Sequence, residues 1–244
     1  MWQLAEFSAG LSLAPLEARI NVLEPWSGVV SAKWFNRAAP ASLAVLQIDL
    51  REFIAPNQLP LEVYSRGIDI VASYAPSEGR NVQTQVYWRG TSPTCGSPAA
   101  GVELILSVQT HLLDSRPHLS TVSTLPGGEV FSLQPLGTDW EPVSLSSRRE
   151  WPAAPAVALL LFRPHGVAFS YAEMVHPSDF AGATLEQRGE NSLRLTNHLF
   201  PDRLEKGVIR RGRICGLFLS RQADLACAMA AYRAFIDEPL PLTA

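Results

Sequence analysis

Cysteine is scarce: Cys95, Cys215 and Cys227 are the only three in 244 residues, and none forms a CxxC pair. That excludes a zinc ribbon and a disulfide framework, and the odd count predicts reduced thiols. Cys215, inside the apolar stretch 214–219, and Cys227, inside a helical apolar pattern, read as small core residues. Cys95, between Pro93 and Gly96, reads as a loop residue. An excess of charge of either sign is also missing, with 20 Lys and Arg against 23 Asp and Glu and a formal net charge of -3. A nucleic-acid partner is disfavoured, because such affinity comes largely from cations that neutralise phosphates. The longest apolar run, Ala153 to Phe162, contains Pro155 and is about half the length needed to span a bilayer, so it reads as a buried strand. No Lys or Arg precedes Arg19, which leaves out the cationic start of a secretory signal and predicts a cytoplasmic protein with no membrane partner.

Familiar chemical motifs are missing as well. There is no GxxxxGK[ST] phosphate loop, no strand-bound GxGxxG and no GxSxG nucleophile elbow, so no nucleotide cofactor and no serine hydrolase are expected. Neither HxH nor HExxH occurs, and the turn that holds His111, Asp114, Ser115 and His118 offers no recognised metal spacing. We therefore expect no cofactor and no metal.

What is present is β structure. Residues 81–89 alternate strictly, with Val82, Thr84, Val86 and Trp88 on one face and Gln83, Gln85, Tyr87 and Arg89 on the other. Upstream, Leu61–Ser65 and Ile68–Tyr74, joined around Arg66-Gly67 and closed by Pro76, Ser77 and Gly79, complete a meander. Ser42–Leu50 and Gly101–Thr110 read as further strands, and Leu119–Thr124 and Glu129–Leu133 flank Pro126-Gly127-Gly128 as a hairpin. Residues 136–155 read as a long surface connection, either packed down by Trp140 and Trp151 or covering a cleft. Strands resume at Ala156–Phe162, Val167–Val175, Ser192–Asn197 and Val208–Leu219.

One helix is evident, with Leu225, Met229, Tyr232 and Ile236 at helical spacing and Ala228 and Phe235 widening the stripe. Asp224 suits its start, and Pro239 and Pro241 stop it. Short strands punctuated by 19 Pro and 16 Gly, with no helix between them, predict an all-β fold. The expected architecture is an antiparallel β-sandwich, a supersandwich in its larger form, with one C-terminal helix, as a single domain over residues 1–244.

Three groups of residues could carry chemistry. A strand ending at Pro177 releases Glu173, His176, Ser178 and Asp179 near its mouth. Glu173 and His176 are three positions apart, so they meet only across a bulge or beyond the strand end, and Ser178 or Asp179 equally suits a turn cap. The second group is His198 with Arg203, Lys206, Arg210, Arg211 and Arg213. If 208–219 is one strand, Arg211 and Arg213 share a face opposite Arg210, as on a charged edge strand or beside an anion or sugar. The third is Trp88 with Arg89, where an indole face could stack on a sugar ring and a guanidinium could fork to its hydroxyls, although Trp88 also continues the core face.

The segments Phe169–Phe180, Leu204–Arg211 and Glu238–Thr243 resemble an uncharacterised bacterial family of all-β proteins that has no established activity. The long succession of strands with a late helix is similar to the galactose-mutarotase-like supersandwich fold, whose members bind or process carbohydrates. Mutarotases use a histidine acid and a glutamate base in a sugar cleft, and the resemblance assigns these roles to His176 or His198 with Glu173. The leading expectation is a β-sandwich that binds a carbohydrate or related polar small molecule among Trp88, Arg89, Asp179, His198 and Arg210, with His176 and Glu173 as acid and base. The rival is a non-catalytic interaction or structural protein, marked by an exposed apolar patch rather than a polar pocket.

Overall fold

The computed structural model describes residues 1–50, 53–55, 58–76, 81–134, 139–145, 148–154, 158–189, 191–200 and 202–239. Ser77, Gly79, the start of the 136–155 connection, Pro155, Ala156, Pro201 and Leu240–Thr243 lie outside the described residues.

The N-terminal strands are β1 (Trp2–Ala5), β2 (Ser8–Leu13), β3 (Leu16–Asn21), β4 (Val30–Trp34) and β5 (Arg37–Ala38), which form a five-stranded antiparallel sheet in chain order. Next come β6 (Ala44–Asp49), β7 (Glu62–Arg66), β8 (Asp69–Tyr74), β9 (Val82–Thr91), β10 (Ala99–Thr110) and β11 (Asp114–Ser115). The middle of the chain supplies β12 (Leu119–Pro126), β13 (Gly128–Leu133), β14 (Trp140–Pro142), β15 (Arg148–Pro152) and β16 (Leu159–Pro164). Then follow β17 (Phe169–Val175), β18 (Phe180–Gln187), β19 (Ser192–Leu199), β20 (Leu204–Glu205), β21 (Ile209–Ser220) and the helix α1 (Asp224–Asp237).

Two larger sheets make the sandwich. One has nine strands in the order β14-β13-β16-β17-β21-β10-β9-β8-β7, and the other has five in the order β15-β18-β19-β12-β6. Strict alternation puts Val86 and Trp88 of β9, Leu104 and Leu106 of β10 and Phe169 and Tyr171 of β17 inward, where they join Leu185, Leu193 and Leu195 of the facing sheet in one apolar cluster. Trp2, Leu11, Leu16 and Trp34 of the N-terminal sheet belong to the same cluster.

The opposite face of the nine-stranded sheet carries α1, whose Cys227, Ala228, Ala231 and Phe235 pack on Leu159, Leu161, Met174 and Leu217. The helix docks on a sheet as expected, but the fully buried line runs through these four, while Leu225, Met229, Tyr232 and Ile236 flank it half-buried. Asp224 anchors its first turn, accepting from Arg163 Nε and Nη2 at 2.9 and 2.8 Å and from Ser170 Oγ at 2.5 Å. Among the described residues no helix is long and apolar enough to cross a membrane.

Four expectations are corrected. Cys95 and Cys227 are joined in a disulfide, with Cα atoms 5.0 Å apart, so the reading of reduced thiols fails for these two. The bond ties the β9–β10 loop to α1, a proximity invisible across a sequence separation of 132; Cys215 is free and buried. Leu119–Pro126 and Gly128–Leu133 are not a hairpin: β12 pairs with β19 and β6, and β13 with β14 and β16, so the chain changes sheets at Gly127. That crossing is fixed by Gly127 N donating to Asn191 O at 2.8 Å and by Gly128, where a Cβ would lie 2.1 Å from the Arg163 carbonyl. The long connection contains β14 and β15, with Trp151 buried. Finally, β21 lies between β17 and β10 and is no edge strand. Its Arg213, 1% exposed, donates from Nε to Glu103 Oε1 at 2.6 Å and lies 4.5 Å from the Phe235 ring centroid.

Candidate functional site

The outer face of the five-stranded sheet is polar, and register explains why. In β19, Leu193, Leu195, Asn197 and Leu199 point into the sandwich, which turns Arg194, Thr196 and His198 outward. The pairing of β12 with β19 sets Ser120 opposite His198, Val122 opposite Thr196 and Thr124 opposite Arg194. Gly182 of β18 faces His198 from the other side, and Asp49 of β6 continues the row beyond Ser120. His198 is thus flanked by residues with little or no side chain, which leaves open space above it.

That space is a cavity of about 370 Å³ lined by Arg116, His118, Ser120, His198, Phe200 and Asp202, among others. A second cavity of about 280 Å³ lies on the same face, lined by Trp26, Gln47, Asp49, Thr124 and Arg194. Burial pushes the His198 pKa below the usual histidine value, and the positive charges of nearby His118 and Arg148 add to the effect against the opposing Glu150. His198 is consequently a neutral imidazole at pH 7, able to accept a proton. Among the remaining cavities, one of about 480 Å³ is lined by Pro15, Phe35, Pro93 and Pro98 together with Ser12, Glu17, Asn36, Ser92 and Ser97, and it brings no cationic side chain and no imidazole to a ligand.

The residues singled out from sequence fall in four places. His198 lines the cavity of about 370 Å³. His176, Asp179 and Arg210 meet beside it: Ser178 Oγ lies 2.8 Å from His176 Nδ1 and 3.0 Å from Asp179 Oδ1, and Arg210 Nη2 donates to Ser178 O at 3.1 Å. The same guanidinium pairs with Asp202 of the cavity wall at 3.3 Å. His176 Nε2 is 3.3 Å from Ile236 O, so its ring braces the end of α1. Trp88, 1% exposed, is core and offers no face to a ligand. Arg89 lies on the other sheet, bound to Asp69 through Nε at 2.8 Å and Nη2 at 3.1 Å.

Glu173 does not meet His176. It points into the interior, where Tyr171 Oη donates at 2.7 Å, Asn197 Nδ2 donates at 2.6 Å and Ser123 Oγ also donates. Full burial outweighs these three donors and pushes its pKa up to about 7. Out of reach of any cavity described above, it is a tie between the two sheets, and the expected pairing of Glu173 with His176 is not made. Sequence reasoning missed Arg116, Ser120 and Asp202 as wall residues and placed His118 with a turn. The pairing of β12 with β19, about 75 residues apart, is what brings His118 and Ser120 to His198.

Among the described residues no group of three His, Cys, Asp or Glu side chains is placed to hold a metal ion. No protein-family model and no curated protein matches the chain. Its fold is similar to the crystal structure of a candidate aldose 1-epimerase from Klebsiella pneumoniae subsp. pneumoniae, with a TM-score of 0.53 and 8% identity over 94% of this chain and 83% of that one. At that identity the likeness is one of fold, and it agrees with the architectural similarity to galactose-mutarotase-like proteins.

Proposed function

We propose that this chain binds a carbohydrate or a related polar small molecule on the outer face of the five-stranded sheet, with His198 at the centre of the site. The observation that carries this reading is the convergence of two imidazoles, a guanidinium, a hydroxyl and a carboxylate, from His118, His198, Arg116, Ser120 and Asp202, on one cavity of about 370 Å³. A monosaccharide presents a ring of hydroxyls that both donate and accept, and this set supplies both kinds of partner. The fold likeness to a candidate aldose 1-epimerase supports the sugar class.

Any proton transfer on such a ligand falls to His198, which is neutral at pH 7 and faces the cavity, rather than to the buried Glu173. Asp179 and Arg210 serve the site at one remove, since Arg210 holds Asp202. The test is a thermal-denaturation screen against sugars, sugar phosphates and sugar acids. A ligand at a hundred times its Kd stabilises by about 2.7 kcal/mol, and His198→Ala abolishes that gain while leaving the unliganded midpoint in place. A panel without any shift refutes the reading.

A further inference from the structure

The charges around the His198 cavity do not balance. Each acidic side chain bordering it is engaged: Asp202 pairs with Arg210 at 3.3 Å, and Glu150 pairs with Arg148 at 2.6 Å. The neighbouring Glu186 pairs with Arg148 at 3.1 Å and also with Arg188. The donors are not engaged in the same way. Among the described residues the side chains of Arg116, His118 and His198 make no hydrogen bond or ion pair, nor does that of Arg194 in the adjoining cavity of the same face.

We infer that the ligand is an anionic sugar, a hydroxylated ring carrying one phosphate or carboxylate, whose charged group sits against Arg116 and His118 while the ring lies over His198 and Ser120 toward Trp26. This rests on the sugar reading above and adds the sign of the ligand's charge. A guanidinium presents a planar fork of N–H donors that fits two oxygens of either anion, and an imidazole beside it donates a further bond once protonated. A neutral sugar would leave the positive charge of this corner unanswered. The adjoining cavity offers the Trp26 ring beside Gln47 and Thr124, with Asp49 and Arg194 also in its wall, a surface on which the hydroxylated ring can rest.

Calorimetric titration of the full chain with glucose, glucose 6-phosphate, glucuronate and inorganic phosphate tests this at low and at physiological salt. The anionic sugars are expected to bind at least about tenfold more tightly than glucose, equivalent to about 1.4 kcal/mol, and to lose affinity as salt rises. Near pH 6.5 their binding takes up protons, seen as a dependence of the heat on buffer ionisation, because an anion close to His198, whose pKa burial holds below the usual value, favours its charged form. Arg116→Gln, an exposed change away from the core, removes most of the tenfold preference, whereas Arg19→Gln, which changes net charge equally on the N-terminal sheet, does not. Phosphate and carboxylate sugars are told apart by which of the two binds, and either one supports the inference. Equal binding of glucose overturns it and leaves the sugar reading standing. Inorganic phosphate binding as tightly as the sugar phosphate overturns it in favour of a bare anion site. Silence from all four overturns the inference and the sugar reading together.

Discussion

Asn197 of β19 donates from Nδ2 to Glu173 Oε1 of β17 at 2.6 Å, a buried hydrogen bond that joins the two sheets of the sandwich through their interior. Glu173 has an ordinary carboxylate pKa of 4.5 when exposed, and burial raises it to about 7 in the folded chain. Between those pH values the native state holds a proton that the unfolded chain has lost, so the contribution to stability is fullest below about pH 4.5 and declines as pH rises through 7. The total change is on the order of 3 kcal/mol. Glu173→Gln, neutral at every pH, flattens this part of the profile and is more stable than the parent at pH 8; denaturant melts from pH 4.5 to 8 test it, and parallel profiles would refute it.

A second prediction concerns the anchoring of α1. Burial raises the Asp224 pKa, but the bonds from Arg163 and Ser170 overcome that and leave it below the usual carboxylate value. Its stabilisation is present above the unfolded pKa of about 3.8 and lost as pH falls through the lower native value. Arg163→Ala leaves a carboxylate buried without its cation and is expected to cost about 3 kcal/mol. The loss should appear as faster amide exchange in the first turn of the helix.

Thiol counting tests the Cys95–Cys227 bond. Alkylation in denaturant without reductant should modify one cysteine, Cys215, and with reductant all three. Cys95→Ser is expected to lower stability by about 2–4 kcal/mol through the freed loop, as a drop in melting temperature that reductant produces in the parent.

Gly216 has no room for a side chain. A Cβ there would lie 2.3 Å from Tyr171 Oη and 3.1 Å from Leu46 Cδ1, so Gly216→Ala must displace the tyrosine that donates to Glu173. The expected cost is about 1–3 kcal/mol, accompanied by a change in the pH profile described above, since the two residues act on one network.

Local pattern made the fold class legible. Residues 81–89, 101–110 and 208–219 announce strands because alternation or β-branched content is dense there, and the late helix is announced by its stripe. β18 escaped notice because Gly182, with φ near 135°, interrupts the pairing with β19 between Phe180 and Gly182 and breaks the period of two. The site was less legible. His198 could be named because it opens a polar and cationic run, but the residues that surround it arrive through sheet pairings. Trp88 and Arg89 are adjacent in sequence and point to opposite faces of the sheet, one into core and one to a salt bridge, so proximity along the chain misled. Charge in the 203–213 run suggested an edge, whereas Glu103 on the neighbouring strand allows Arg213 to be buried.

Imidazole NMR of the intact protein, titrated with glucose 6-phosphate and glucuronate, tests whether ligand lies over His198 and His118. The ring resonances of His198 and His118 should move together and saturate, while those of His165, on the loop between β16 and β17, stay in place. Movement confined to other histidines, or none at concentrations that raise the melting temperature, would contradict it.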